Sequence, residues 1–342
     1  MENFNLFGLS KLNLIFYIII IICNLIFLSF IKSLSEKFKL NDLPNERKLH
    51  KVPTSFLGGV FFLISSYFYI AYYKTYFFES HFLIYNLSHV FSLIFISSMI
   101  FFLGLLDDMV DMDPLKKTLI LTVLISSSIL IDSELIIKSI KFELIDKEFN
   151  LKNFSVFFTI ICIYIFINAC NMYDGADLQL GIYFLVFILY LYFKSGYLNI
   201  FAPLLIPLLI FLYANFRKIC FMGNNGSHFL SYIAAVFVIK LYNKEVFNSV
   251  EEIIIIMLIP GCDLVRLFFS RILKKRKFFE SDLNHIHHIL GKNKSNYTTQ
   301  IIIFVLTLSP VIISEVSNSY LFGIIFGILI YIFIISRKFN YL

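Results

Sequence analysis

Two adjacent carboxylates close an apolar run of this chain, Phe101-Phe102-Leu103-Gly104-Leu105-Leu106-Asp107-Asp108. Ionised carboxylates in hydrocarbon are costly, so such residues usually meet a partner, an ion or water. Asp113 followed by Pro114 reads as an N-cap with proline at the first helical position, which puts the acids in a short turn before a second helix carrying Lys116 and Lys117. Asn168-Ala-Cys-Asn171-Met-Tyr-Asp174-Gly-Ala-Asp177 adds two amides and two carboxylates. The i, i+3, i+6 spacing of Asn171, Asp174 and Asp177 predicts that a helical turn places them on one side. Acid groups meeting at one face suit magnesium or manganese, which take hard oxygen ligands; a solvated helix cap is the plainer alternative.

Phe221-Met222-Gly223-Asn224-Asn225-Gly226-Ser227 is a glycine-spaced loop at a helix start, where exposed backbone N–H groups favour phosphate; a simple turn would look the same. His285-Ile286-His287-His288 follows the basic run 274–277. With no cysteine and no i, i+4 histidine pair it does not read as zinc, and the basic run alone reads as topogenic or lipid-facing. These are the parts for handling a phosphorylated, metal-bound substrate at a membrane surface.

The elements that must position them are membrane helices. Of 342 residues 59% are hydrophobic and 15% charged, with a mean hydropathy of +0.82, against about 25% charged in soluble domains. The net charge of +6 is spread between long apolar runs, so nucleic acid is not an expected partner. Five cysteines without a paired spacing read as reduced packing residues. The first run, about 12–31, has no basic leader and is expected to stay as a helix.

Eleven apolar runs centre on Ile20, Ser65, Phe95, Val123, Ile161, Val186, Ile206, Ala235, Leu258, Leu306 and Ile328. The run at Ala235 is short, and Pro260, Gly261 and Asp263 predict a kink or an early end in the one at Leu258. The expectation is an all-α polytopic membrane protein of about eleven transmembrane helices in one domain, 1–342. With the N-terminus outside and the C-terminus cytoplasmic, 20 of 29 Lys and Arg fall inside. The same topology gathers the polar stretches 40–55, 105–117, 168–179, 215–227 and 276–288 on the cytoplasmic face. The longest outer loop, about 132–153, alternates in part and predicts an amphipathic strand pair or a surface helix.

The motifs resemble the polyprenyl-phosphate N-acetylhexosamine-1-phosphate transferases of glycosyltransferase family 4, most of all the bacterial undecaprenyl-phosphate GlcNAc-1-phosphate branch. LPNERKLHKVPTSFLGGV (43–60), GLLDD with Lys117, NACNMYDGAD, FMGNNGS, IPGCDLVRLFFSR (259–271) and DLNHIHH match the family's motifs in order. The resemblance implies transfer of a sugar 1-phosphate from UDP-HexNAc to undecaprenyl phosphate, with release of UMP, at the start of a surface polysaccharide such as an O-antigen. It also implies a bacterial cytoplasmic membrane location and Mg2+ or Mn2+; a homodimer is one candidate assembly, and the sequence leaves the oligomeric state open.

By the same resemblance Asp107, Asp108, Asp174 and Asp177 are the catalytic and metal-holding acids. Lys117, Asn168, Asn171, Asn224 and Arg271 would bind substrate, Arg47, Lys48 and His50 would border the nucleotide, and His285, His287 and His288 would contact the sugar phosphates. Two positions depart from the family pattern. Asn224 stands where the family has Asp, and keeps an oxygen but no charge. Leu178 stands where the family has a glycine that permits an unusual backbone angle. A silent paralogue is the first competing function. A transporter or flippase is the second, and expects the acids near the bilayer midplane.

Overall fold

The computed structural model describes residues 11–44, 52–76, 86–275, 285–291 and 296–336. Its helices are α1 (Lys11–Lys37), α2 (Gly59–Tyr76), α3 (Leu87–Val110), α4 (Pro114–Ile131), α5 (Ser155–Tyr173), α6 (Gln179–Ser195), α7 (Leu198–Phe216), α8 (Gly223–Asn243), α9 (Val250–Leu273), α10 (Ile286–Gly291), α11 (Asn296–Ser317) and α12 (Tyr320–Ser336). Each of the eleven apolar centres lies in a helix of its own; α10 is the short exception. Among the described residues seven helices are long and apolar enough to cross a membrane, α1, α3, α4, α5, α7, α9 and α11.

Burial here is inverted relative to a water-soluble bundle. On α1 the side chains of Ile15, Ile18, Ile22 and Leu25 are exposed while Asn13 and Asn24 are buried. Asn24 donates to Ser65 at 2.9 Å and Asn13 to Asn199 at 3.0 Å, so polar groups join α1 to its neighbours. Helices in lipid gain little from apolar contact with one another, and such interhelical bonds supply the specificity.

The centre of the bundle is α8, whose residues from Asn225 to Leu241 are all buried. It packs chiefly against α3, α5 and α2. At 21 residues it is a full-length helix, not the short one the Ala235 run suggests. The early end anticipated near Pro260 is also overturned: α9 continues through Pro260 to Leu273. Missing backbone bonds at proline are tolerated where neighbouring helices enclose the site, and Pro260 is buried.

Two short hairpins complete the chain. β1 (Asn41–Asp42) pairs antiparallel with β2 (Thr54–Ser55), and β3 (Ser139–Phe142) with β4 (Lys147–Asn150), in the segment for which a strand pair or a surface helix was open. The second hairpin is fixed to the far end of the bundle, where Glu251 accepts the N–H groups of Glu143 and Leu144 and Lys141 N–H donates to the Tyr242 hydroxyl. Ion pairs also tie that end: buried Lys240 with Asp132 at 2.7 Å and Glu134 at 3.1 Å, and Lys194 with half-exposed Glu315 at 2.8 Å.

Candidate active site

Asp107 and Asp108 lie in the last turn of α3, which closes when the Asp111 N–H bonds to Asp107 O with Asp111 in the left-handed region. The new helix begins as its sequence requires, with Asp113 accepting the Lys116 N–H and Pro114 at the first position. Gly104 lets α3 approach α8 so closely that a Cβ there would overlap the Asn224 carbonyl. That approach sets the two acids against the start of α8.

The acids then part in role. Asp108 Oδ1 accepts the Asn224 N–H at 2.9 Å, and its Oδ2 accepts the Asn225 N–H at 3.2 Å and Asn225 Nδ2 at 2.7 Å. The α8 N-terminus therefore already holds an anion, the Asp108 carboxylate, so the amides that the glycine loop offered to phosphate are partly taken. Asp107 Oδ2 receives Lys117 Nζ at 2.6 Å and Asn224 Nδ2 at 2.8 Å, while Oδ1 receives the Met112 N–H at 3.1 Å. Asn224 Oδ1 in turn accepts Asn171 Nδ2 at 2.6 Å, and that Nδ2 also reaches Ser227 at 2.9 Å. Asn224 is thus an amide brace between the two acid-bearing segments.

The first loop is sewn to the same place. Phe221 N–H donates to Ser55 O at 2.7 Å, Asn225 Nδ2 to Phe56 O at 2.6 Å, and Gly59 N–H to Asn225 Oδ1 at 3.1 Å. Gly223 has φ +71°, a conformation that needs glycine. Arg47, Lys48 and His50 lie outside the described residues.

The helical arrangement of Asn171, Asp174 and Asp177 does not hold. α5 ends at Tyr173, Asp174 caps its C-terminus, and Asp177 lies in the following turn. The turn is closed by Leu178, which has φ +65° and whose N–H donates to Asn215. Leucine thus occupies the left-handed angle for which the family uses glycine. A β-branched side chain suits that angle least, so Leu178→Val is expected to lower stability by about 1–2 kcal/mol while Leu178→Gly is tolerated, as denaturation in detergent would show.

The Asp174 carboxylate has no hydrogen-bond donor among the described residues. Burial pushes it up to about 8, and the charges of Asp108 and Asp177 add to the rise. A buried carboxylate with no donor among the described residues offers hard oxygens of the kind a divalent ion takes, and by that chemistry Asp174 fits one. Another cluster, His89, Asp132 and Glu134, has ligand atoms within 4.8 Å of one another, and there Lys240 pairs with both carboxylates.

The sign of the resulting pH dependence follows from a raised carboxyl. The folded chain keeps the Asp174 proton between the ordinary value of 3.8 and about 8. Metal-free stability from this group is therefore greatest at low pH and falls as pH rises through that window. Magnesium must displace the proton, so its affinity is expected to rise about tenfold per pH unit below 8 and then level off. Calorimetric titration at several pH values checks this, and Asp174→Asn should flatten the curve.

The histidines meet Asp174 through Gly175, where a Cβ would overlap the His287 imidazole. His287 is buried and its pKa is lowered to about 3 by burial and by His288 and His285, so it stays neutral. His285 stacks on it at 5.4 Å between ring centroids, and His288 lies 4.3 Å from it. Gly175→Ala is expected to push His287 away and cut activity at least tenfold while changing stability by less than about 1 kcal/mol; turnover and denaturation measured together test it.

Two further residues, to which the sequence assigned no role at the site, belong to it. Buried Asn215 receives Leu178 N–H and donates to Cys220 O at 2.7 Å. Buried Asp263 receives Arg266 and Tyr331, each at 2.7 Å, and His285 Nδ1 at 3.3 Å. Asp263 stands in the 259–271 motif beside Arg266, and Asn215 opens the polar stretch 215–227, but their partners in Leu178, Tyr331 and His285 come from other segments and were not readable from chain order. Of the other expected residues, Asn168 donates back to Tyr164 O of its own helix, and Arg271 is buried near the end of α9. An apolar groove of about 780 Å³ runs between α5, α9 and α12 and reaches β3 at its far end, with Arg266 and Tyr331 in its wall.

Residues 90–242 match the model of glycosyl transferase family 4. The undecaprenyl-phosphate alpha-N-acetylglucosaminyl 1-phosphate transferase of Escherichia coli K12 is 24% identical over 304 residues, 85% of this chain and 79% of that one. Its namesake in Yersinia pestis is 26% identical over 316 residues, 87% and 82%. A probable undecaprenyl-phosphate N-acetylglucosaminyl 1-phosphate transferase of Bacillus subtilis 168 is 28% identical over 183 residues, 50% and 51%. The resemblance carried by the motifs is borne out, and with it the expectation of a transferase enzyme.

Proposed function

We propose, from this likeness to glycosyl transferase family 4, that the chain transfers HexNAc 1-phosphate from a UDP-sugar to undecaprenyl phosphate and releases UMP. The observation that carries the reading is that the acid, amide and histidine segments converge at helix ends beside an apolar groove whose wall includes Arg266. A long lipid tail fits the groove, and its phosphate would then stand near Arg266 and the histidines.

In the reaction an oxygen of the lipid phosphate attacks the β-phosphorus of the UDP-sugar, and the bond from that phosphorus to the bridging oxygen breaks, leaving UMP. Asp107 holds Lys117 in place for phosphate contact. Asp108 fixes the glycine loop, and Asp174 and Asp177 would hold a magnesium ion, which when bound would neutralise charge on the phosphoryl groups. Tyr173 and Met222, which adjoin Asp174 and Gly223 in the chain, are buried. The reading takes eleven spans in one domain, N-terminus outside, from the apolar runs and the distribution of Lys and Arg, with the site on the cytoplasmic face of the inner membrane.

The test is UMP release from UDP-HexNAc by membranes carrying the folded chain and supplied with undecaprenyl phosphate, with the mass of the lipid product naming the sugar. No release with any UDP-HexNAc would defeat the proposal. Strong release that Asp107→Asn abolishes would exclude a silent paralogue. A transporter gains no support from this geometry, because the acids sit at helix ends, the last turn of α3 and the cap of α5.

A further inference from the structure

Asp263 has 2% of its surface exposed, on a helix bordering the groove. Its Oδ1 accepts Arg266 Nη2 and the Tyr331 hydroxyl, each at 2.7 Å, and its Oδ2 faces His285 Nδ1 at 3.3 Å. Arg266 Nε also donates to the Tyr331 hydroxyl at 2.8 Å, which closes a ring of three groups across α9 and α12. Arg266 and Tyr331 are both groove wall. On its other side Asp263 holds the histidine that stacks on His287, whose ring abuts Gly175 next to Asp174. One carboxylate is therefore shared between the groove wall and the histidine segment.

A buried Asp–Arg pair in a membrane helix costs more than apolar packing would, and its helix contacts could be made by leucine. What an apolar pair cannot do is fix an imidazole. A carboxylate at Nδ1 selects the tautomer with hydrogen on that nitrogen and leaves Nε2 for substrate. We propose that Asp263 is a positioning residue that couples lipid phosphate in the groove to the orientation of His285. An anion arriving at Arg266 weakens its hold on Asp263 Oδ1, and the carboxylate turns its bonding toward His285.

The inference rests on the groove being the seat of the lipid acceptor, and its test uses a signal independent of turnover. In full-length chain labelled with 15N-histidine, the resonance lost in His285→Gln identifies this residue. In the wild type it is expected to show hydrogen on Nδ1 and to shift when undecaprenyl phosphate is added without nucleotide. Undecaprenol, which lacks the phosphate, should leave it unmoved. Asp263→Asn should lose the Nδ1–H tautomer and the response, and lower kcat about 10- to 100-fold with the KM for UDP-sugar little changed. Tyr331→Phe, which leaves the carboxylate and Arg266 in place, should keep the tautomer and weaken the response.

A wild-type resonance indifferent to undecaprenyl phosphate in protein that releases UMP would overturn the coupling and leave the transferase reading standing. An equal shift with undecaprenol would also overturn it, since the tail and not the charge would then be sensed. Absence of UMP release from folded protein would instead count against the transferase reading.

Discussion

Asp108→Ala is expected to lower stability by about 2–4 kcal/mol and to abolish UMP release. Its carboxylate receives two backbone N–H groups and one side-chain amide at the start of α8. Removing it leaves those donors without their charged acceptor and takes a negative charge from a helix N-terminus. The helix affected is the one around which the bundle packs, so the loss spreads to the contacts with α2 and α3. Asp107→Ala should be equally inactive yet cost only about 1–2 kcal/mol, because it frees a lysine that retains some access to water, 17% of its side-chain surface. Denaturation in detergent alongside UMP release separates the two acids. Equal destabilisation would mean that the division between a loop-fixing and a lysine-holding carboxylate is wrong.

Asn224→Asp carries the second large effect, and its sign depends on magnesium. Asn224 Nδ2 lies 2.8 Å from Asp107 Oδ2; a carboxylate there would set oxygen against oxygen. In the presence of a chelator the variant should be destabilised by about 1–3 kcal/mol. Magnesium should restore the loss and bind the variant at least tenfold more tightly than the wild type, since a third acid replaces a neutral brace. The wild type, whose acid pair is already satisfied by Lys117, Asn224 and Asn225, should gain less from magnesium than the variant does. Thermal melts with and without the ion decide this. A variant that gains UMP release where the wild type has none would instead favour the silent paralogue.

Asn224 shows how far the residues themselves could lead. Its type and place in the glycine loop were legible, and suggested only a lost ligand. That the amide spans from Asp107 to Asn171 depended on α3, α5 and α8 meeting at one point. The same limit applies to the glycine loop: its N–H groups looked open to phosphate because the anion that occupies them, Asp108, is 116 residues away in the chain. Leu178 is the converse case, since the angle inferred from the missing glycine is the one it adopts.

Composition and periodicity by themselves determined the helices, because hydrocarbon forces each backbone to satisfy its own hydrogen bonds and each apolar run becomes one helix. Local chemistry determined the Asp113-Pro114 start of α4 in the same way. Where α5 stops was not readable, since Asp174 and Gly175 continue a helical spacing, yet Asp174 leaves the helical angles and caps the helix. Asp263 and Arg266 stand in the 259–271 motif, but Tyr331 reads as an isolated polar residue in an apolar run. Only the packing of α9 against α12 and the approach of His285 made them one cluster, because a buried charge must find its partners in space and the chain order does not record which it will find.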